Sequence, residues 1–79
     1  MMKLKIFNMK EFLKVVDTCT GAVNVVYSDG RKVNINKDYD AQGRLWDAYL
    51  DNKKCAKISL DIVNPKDYFS IISYYTGDC

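Results

Sequence analysis

Histidine is missing altogether, glutamate and proline occur once each, arginine twice and glycine four times among 79 residues. Each scarcity excludes something. Without histidine there is no Ser–His or Cys–His pair, and the commonest general base and metal ligand are gone. Gly21, Gly30, Gly43 and Gly77 stand alone, so neither a phosphate loop nor a dinucleotide fingerprint can be assembled. One proline and few glycines leave no linker or low-complexity stretch. Two arginines against ten lysines provide little of the forked recognition that phosphates and bases favour. The formal charge of +2 is too balanced for a general DNA binder, although it permits a local basic patch. No stretch approaches the ~18 apolar residues of a membrane span. The opening Met1–Phe7 is too short and too interrupted for a signal peptide. Cys19, Cys55 and Cys79 are odd in number and lack CxxC spacing, which argues against zinc and against a secreted disulfide framework. They read as reduced thiols of a cytoplasmic protein, with Cys79 exposed to intermolecular oxidation in air. No cofactor, metal or membrane partner is expected.

What is present is an ordinary globular mixture, 48% hydrophobic and 28% charged, which separates the chain from disordered sequences. The length suits one domain over 1–79. Asn8 and Glu11 have capping-box spacing ahead of Met9, Phe12, Leu13 and Val16, which predicts a helix over 8–18 with Gly21 as its stop. Residues 22–28 and 31–36 predict two strands around Ser28-Asp29-Gly30. A two-residue turn would set Val25 against Asn34, whereas a three-residue loop sets Val25 against Val33 with Gly30 at the left-handed position. The three-residue loop is therefore expected. A second helix starts at Asp38 or Asp40 and runs to Asn52, with an apolar arc wider than one sheet face needs. Residues 55–63 alternate as a strand, Asn64-Pro65-Lys66-Asp67 reads as a turn, and 68–75 reads as a last strand.

The expected fold is α+β: an αββαββ order with a four-stranded, mainly antiparallel sheet and both helices on one face. Residues 3–7 are either an ordered lead-in or a further strand, and the latter gives a ferredoxin-like alternative. Val16-Asp17-Thr18-Cys19-Thr20-Gly21-Ala22-Val23, Tyr27-Ser28-Asp29-Gly30-Arg31-Lys32-Val33-Asn34-Ile35, Ala56-Lys57-Ile58, Asn64-Pro65-Lys66-Asp67 and Tyr74-Tyr75-Thr76-Gly77 carry a resemblance. In them the chain resembles small uncharacterised proteins of phages and conjugative elements of Firmicutes. The resemblance covers most of 8–77 and rests on turns and core positions. It implies a mobile-element origin and transfers no catalytic or binding residue.

Two constellations invite chemistry. Asp38-Tyr39-Asp40-Ala41-Gln42-Gly43 matches the first half of a calcium loop but has Tyr49 where the bidentate glutamate belongs. The competing reading is a pair of helix-capping aspartates. Asp47 and Asp51 share a helix face, where a solvated polar stripe explains them better than an acid/base pair. No enzyme is expected. The feature pointing to function is the predicted outer sheet face, carrying Val26, Val63, Tyr68, Ile72 and Tyr74 with Lys32 and Lys57. An apolar-aromatic patch of this kind marks an interaction surface or a set of ordinary exposed side chains. With Trp46 on the broad arc of the second helix, it predicts a non-catalytic module that binds another protein or its own copy, as an inhibitor or adaptor. The alternative is single-stranded nucleic-acid binding by tyrosine stacking.

Overall fold

The computed structural model describes residues 2–77, with side chains through Tyr75; Cys79 lies outside the described residues. The elements are β1 (Met2–Ile6), α1 (Met9–Thr18), β2 (Val23–Val26), β3 (Lys32–Asn34), α2 (Tyr39–Asp51), β4 (Ala56–Ile62) and α3 (Pro65–Gly77). The strands form one antiparallel sheet in the order β1-β4-β2-β3. The domain is thus α+β with a four-stranded sheet and three helices among the described residues.

Local chemistry explains most of these elements. Asn8 caps α1 by accepting the Glu11 N–H at 3.2 Å, and Asp38 caps α2 by accepting the Ala41 N–H at 3.2 Å. The β2–β3 hairpin has the expected register, Val25 opposite Val33, closed by Tyr27 N–H to the Arg31 carbonyl at 2.8 Å. Gly30, at φ 89°, takes the left-handed position of the loop. Gln42, the amide of the calcium-like stretch, is buried inside α2, where it donates to the Ile35 carbonyl at 2.9 Å and to Asp17 at 2.8 Å.

Three expectations are corrected. Residues 68–75 are helix, not strand, and the fourth strand is β1. Asn64 and Pro65 begin α3 as cap and first residue: the Asn64 side chain accepts from the Lys66 N–H at 2.8 Å, and its carbonyl from the Tyr68 N–H at 3.0 Å. The position beside β4 that a C-terminal strand would have taken is filled by β1, registered Met2↔Leu60 through Ile6↔Ala56. The element order therefore begins as βαββαβ. A ferredoxin-like sheet keeps its first strand inside, however, whereas here β1 is at an edge and β4 is inside. Gly21 does not stop α1 in a left-handed turn either. The helix ends at Thr18, and Gly21 admits the Asp67 carboxylate, to which a Cβ there would come within 3.3 Å.

One core lies between the sheet and the helices. Met2, Leu4, Ile6, Val23, Val25, Ala56 and Leu60 face Met9, Phe12, Leu13, Val16, Leu45, Tyr49 and Ile71. All three helices contribute to it, so all cover one sheet face. Phe69, which a strand over 68–75 paired with β4 would turn to the core, is 66% exposed.

Asp67 ties the start of α3 to the α1–β2 loop. It accepts the Thr20 N–H at 3.0 Å and the Gly21 N–H at 2.7 Å. The Thr20 N–H is the main influence holding its carboxyl below the ordinary value of 3.8, against the opposing pull of burial. Because the folded value is the lower one, this stabilisation is complete above 3.8 and disappears as pH falls through the folded value. Asp67→Asn is therefore expected to lower the urea midpoint at pH 7, and the gap to wild type is expected to close as the pH is taken below that range. A gap independent of pH would show that the carboxylate's charge contributes nothing.

Gly43 lies within α2, and the space where a Cβ would stand is open. Gly43→Ala should stabilise the protein by about 0.5–1 kcal/mol through helix propensity and chain entropy. Thermal melting of the two proteins checks this.

Candidate functional site

The sheet face away from the helices is uncovered, and alternation decides what it carries. In β1 the apolar Met2, Leu4 and Ile6 turn inward, leaving Lys3 and Lys5 outward and exposed. The same alternation turns Lys57, Ser59 and Asp61 of β4 outward. It does likewise for Asn24 and Val26 of β2, and for Lys32 and Asn34 of β3. Lys5 stands directly opposite Lys57, and Lys3 opposite Ser59, so Lys3 is the diagonal neighbour of Lys57. Like charges placed opposite each other across two strands are destabilising.

The acid of this face is engaged elsewhere on it. Lys32 reaches across β2 to Asp61 at 2.7 Å, and this hydrogen bond is the leading cause of Asp61 titrating below its ordinary value. Among the described residues no carboxylate lies within ion-pair distance of Lys3, Lys5 or Lys57. A shallow depression of about 420 Å³ lies against these three lysines, walled by Ser59 and Tyr75. The Tyr75 hydroxyl accepts the outward Lys5 N–H at 3.4 Å, so α3 borders the face along the β1 edge.

The open face is locally basic. Among the described residues it holds four lysines and one aspartate, whereas the bases and acids elsewhere balance; the aspartates of α2 and its cap, Asp38, Asp40, Asp47 and Asp51, are flanked by Lys37, Lys53 and Lys54. The near-neutral total conceals this basic face.

The residues that the sequence singles out are divided by the fold. Val26, Lys32 and Lys57 do share the open face. Tyr68, Ile72 and Tyr74 belong to α3 and not to the sheet. Tyr74 is half-buried with its ring 6.0 Å from Phe12, and its hydroxyl donates to the Asn8 carbonyl at 3.1 Å. Tyr68 is exposed, edge-on to Phe69 at 6.2 Å, and Val63 is exposed in the link before α3. Trp46 is half-buried on α2, edge-on to Tyr49 at 5.5 Å, and Tyr49 donates to the Phe7 carbonyl. Among the described residues the strands turn no aromatic side chain to the outer face, so the tyrosine stacking platform is not formed there. Sequence reasoning missed Lys3 and Lys5, although the strict apolar–lysine alternation from Met2 to Ile6 signals them.

A second hollow opens at one end of the sheet. The β2–β4 ladder stops at Val26↔Ser59 because β2 turns into its hairpin at Tyr27, while β4 continues back to Ala56 beside β1. The resulting cleft, about 640 Å³, is lined by Leu45 and Ala48 of α2 and by Lys3 and Lys57 of the open face. Cys55 also lines it, whereas Cys19 is sealed in the core, and burial foremost pushes its thiol up to about 11.

Among the described residues, no helix is long and apolar enough to cross a membrane, and no three His, Cys, Asp or Glu side chains are grouped to hold a metal. No protein-family model matches the chain, and no curated protein or solved structure shows significant similarity to it.

Proposed function

We propose that the protein is a small non-catalytic binding module that takes an acidic protein surface onto the open lysine face of its sheet. The observation carrying this reading is the trio Lys3, Lys5 and Lys57, set opposite and diagonal to one another, with no acid among the described residues to compensate them. A fold that keeps this arrangement accepts a cost that an acidic partner would turn into attraction. A protein is favoured over a polynucleotide because, among the described residues, the strands of the face carry neither an aromatic side chain nor an arginine. We further propose a role as inhibitor or adaptor of a host or mobile-element protein in the cytoplasm.

The test is a titration by fluorescence anisotropy, at several salt concentrations, with labelled poly-L-glutamate and with a labelled random single-stranded oligonucleotide. The reading expects salt-sensitive binding of the polycarboxylate at least as tight as that of the oligonucleotide. Clearly tighter oligonucleotide binding would replace the protein partner with a nucleic acid. Binding of neither would remove the lysine face as the site.

A further inference from the structure

The cleft at the end of the sheet is distinct from the open face, although the two share Lys3 and Lys57 at their boundary. We infer that it binds a small amphiphilic anion, with an apolar body against Leu45, Ala48 and Ile58 and an acid group at Lys57 and Lys3.

Size and composition both point this way. About 640 Å³ is within the range of small-molecule sites. The α2 and β4 walls are apolar and left open by small side chains, Ala48 and Ala56. Among the described residues no Asp or Glu lines the cleft, while two lysines do. The charge of the site therefore selects an anion over a neutral or cationic molecule of the same shape.

The backbone adds a further anchor. Val23 and Tyr27 bond towards β3, through Ile35 N–H to the Val23 carbonyl and Tyr27 N–H to the Arg31 carbonyl, both at 2.8 Å. The alternate residues Asn24 and Val26 therefore bond towards Asp61 and Ser59 of β4. Lys57, two residues before Ser59, turns its N–H and carbonyl to that same side, beyond the point where β2 departs. The Lys5 N–H, directed away from Lys57 to Tyr75, gives the same phase. The Lys57 N–H thus turns to the cleft side of β4, and the same residue's flexible side chain lines the cleft, so an acid oxygen bound there could be reached by both.

The tail of α2 frames the entrance. Asn52 donates to the Cys55 carbonyl at 3.0 Å across Lys53 and Lys54, which adopt φ of 57° and 59°. This turn sets Cys55 on the cleft wall, where it reports on occupancy.

The test uses the full chain and 1-anilinonaphthalene-8-sulfonate, an apolar body with one sulfonate, followed by displacement with decanoate. One saturable site is expected, with near-ultraviolet circular dichroism unchanged. Ala48→Phe, at an exposed helix position on the cleft wall, should occupy part of the cleft and weaken binding by roughly tenfold or more. Lys57→Gln should weaken the sulfonate probe several-fold and leave its neutral analogue N-phenyl-1-naphthylamine unaffected. In wild type the probe should slow alkylation of Cys55, followed by the mass of the Cys55 peptide. Non-saturable binding, affinity unchanged in Ala48→Phe, or no protection of Cys55 would overturn the inference. Equal affinity for the neutral analogue would also overturn it, since the acid group would then contribute nothing. Lys5→Gln separates this site from the open face: it should weaken poly-L-glutamate without changing the sulfonate titration.

Discussion

Phe12→Ala is expected to destabilise the domain by about 3–5 kcal/mol. Phe12 is the largest fully buried side chain among the described residues, on the α1 stripe facing the sheet, and its ring is the surface against which Tyr74 of α3 rests. Removing it leaves a cavity and loosens α3 together, since the Tyr74 hydroxyl bond to Asn8 depends on that ring position. A chain of this size holds about 4–12 kcal/mol in all. The variant should therefore melt lower by at least about 12 °C and be largely unfolded in moderate urea. The informative companion is Phe69→Ala. Had residues 68–75 been a strand, Phe69 would face the core and cost as much as Phe12; on α3 it is exposed, and the change should be within about 0.5 kcal/mol. Comparable losses for the two substitutions would contradict α3.

The second large effect concerns binding rather than stability. Replacing Lys3, Lys5 and Lys57 together with glutamine should weaken poly-L-glutamate by about tenfold to a hundredfold, and flatten its salt dependence. Stability should be unchanged or slightly raised, because Lys5 no longer opposes Lys57. That opposite movement of affinity and stability distinguishes a binding face from lysines kept for solubility. Lys32→Gln is the internal control. Its ammonium is already engaged by Asp61, so its loss frees an acid on the same face and should weaken binding through repulsion, an effect that Asp61→Asn reverses.

Much of the fold was legible along the chain because its signals are local. The Asn8 and Asp38 caps, the period of α1, the hairpin loop chosen from matched valines and the alternation of β4 each rest on residues close in sequence, and each is found in the structure. Residues 68–75 misled because tyrosine, phenylalanine and isoleucine at every second position satisfy a strand, while Ile71, Tyr74 and Tyr75 also satisfy a helix. Asn64-Pro65 fits a turn and a helix start equally well. No local signal separates the two, and the competition was settled at a distance, by β1 pairing with β4.

The candidate site followed the same division. The sequence by itself determined two capped amphipathic helices, a three-residue hairpin loop, an amphipathic fourth strand and the absence of histidine chemistry, since each depends on residue identity and short-range spacing. Only the tertiary structure decided which strand stands beside β4. With that it decided that the tyrosines lie on a helix, that Lys5 opposes Lys57, and that β2 leaves β4 early enough to open a cleft. Those are matters of long-range pairing, whose stability comes from burying Met2, Leu4 and Ile6 in the common core beneath the helices, a gain that exists only once distant segments have met.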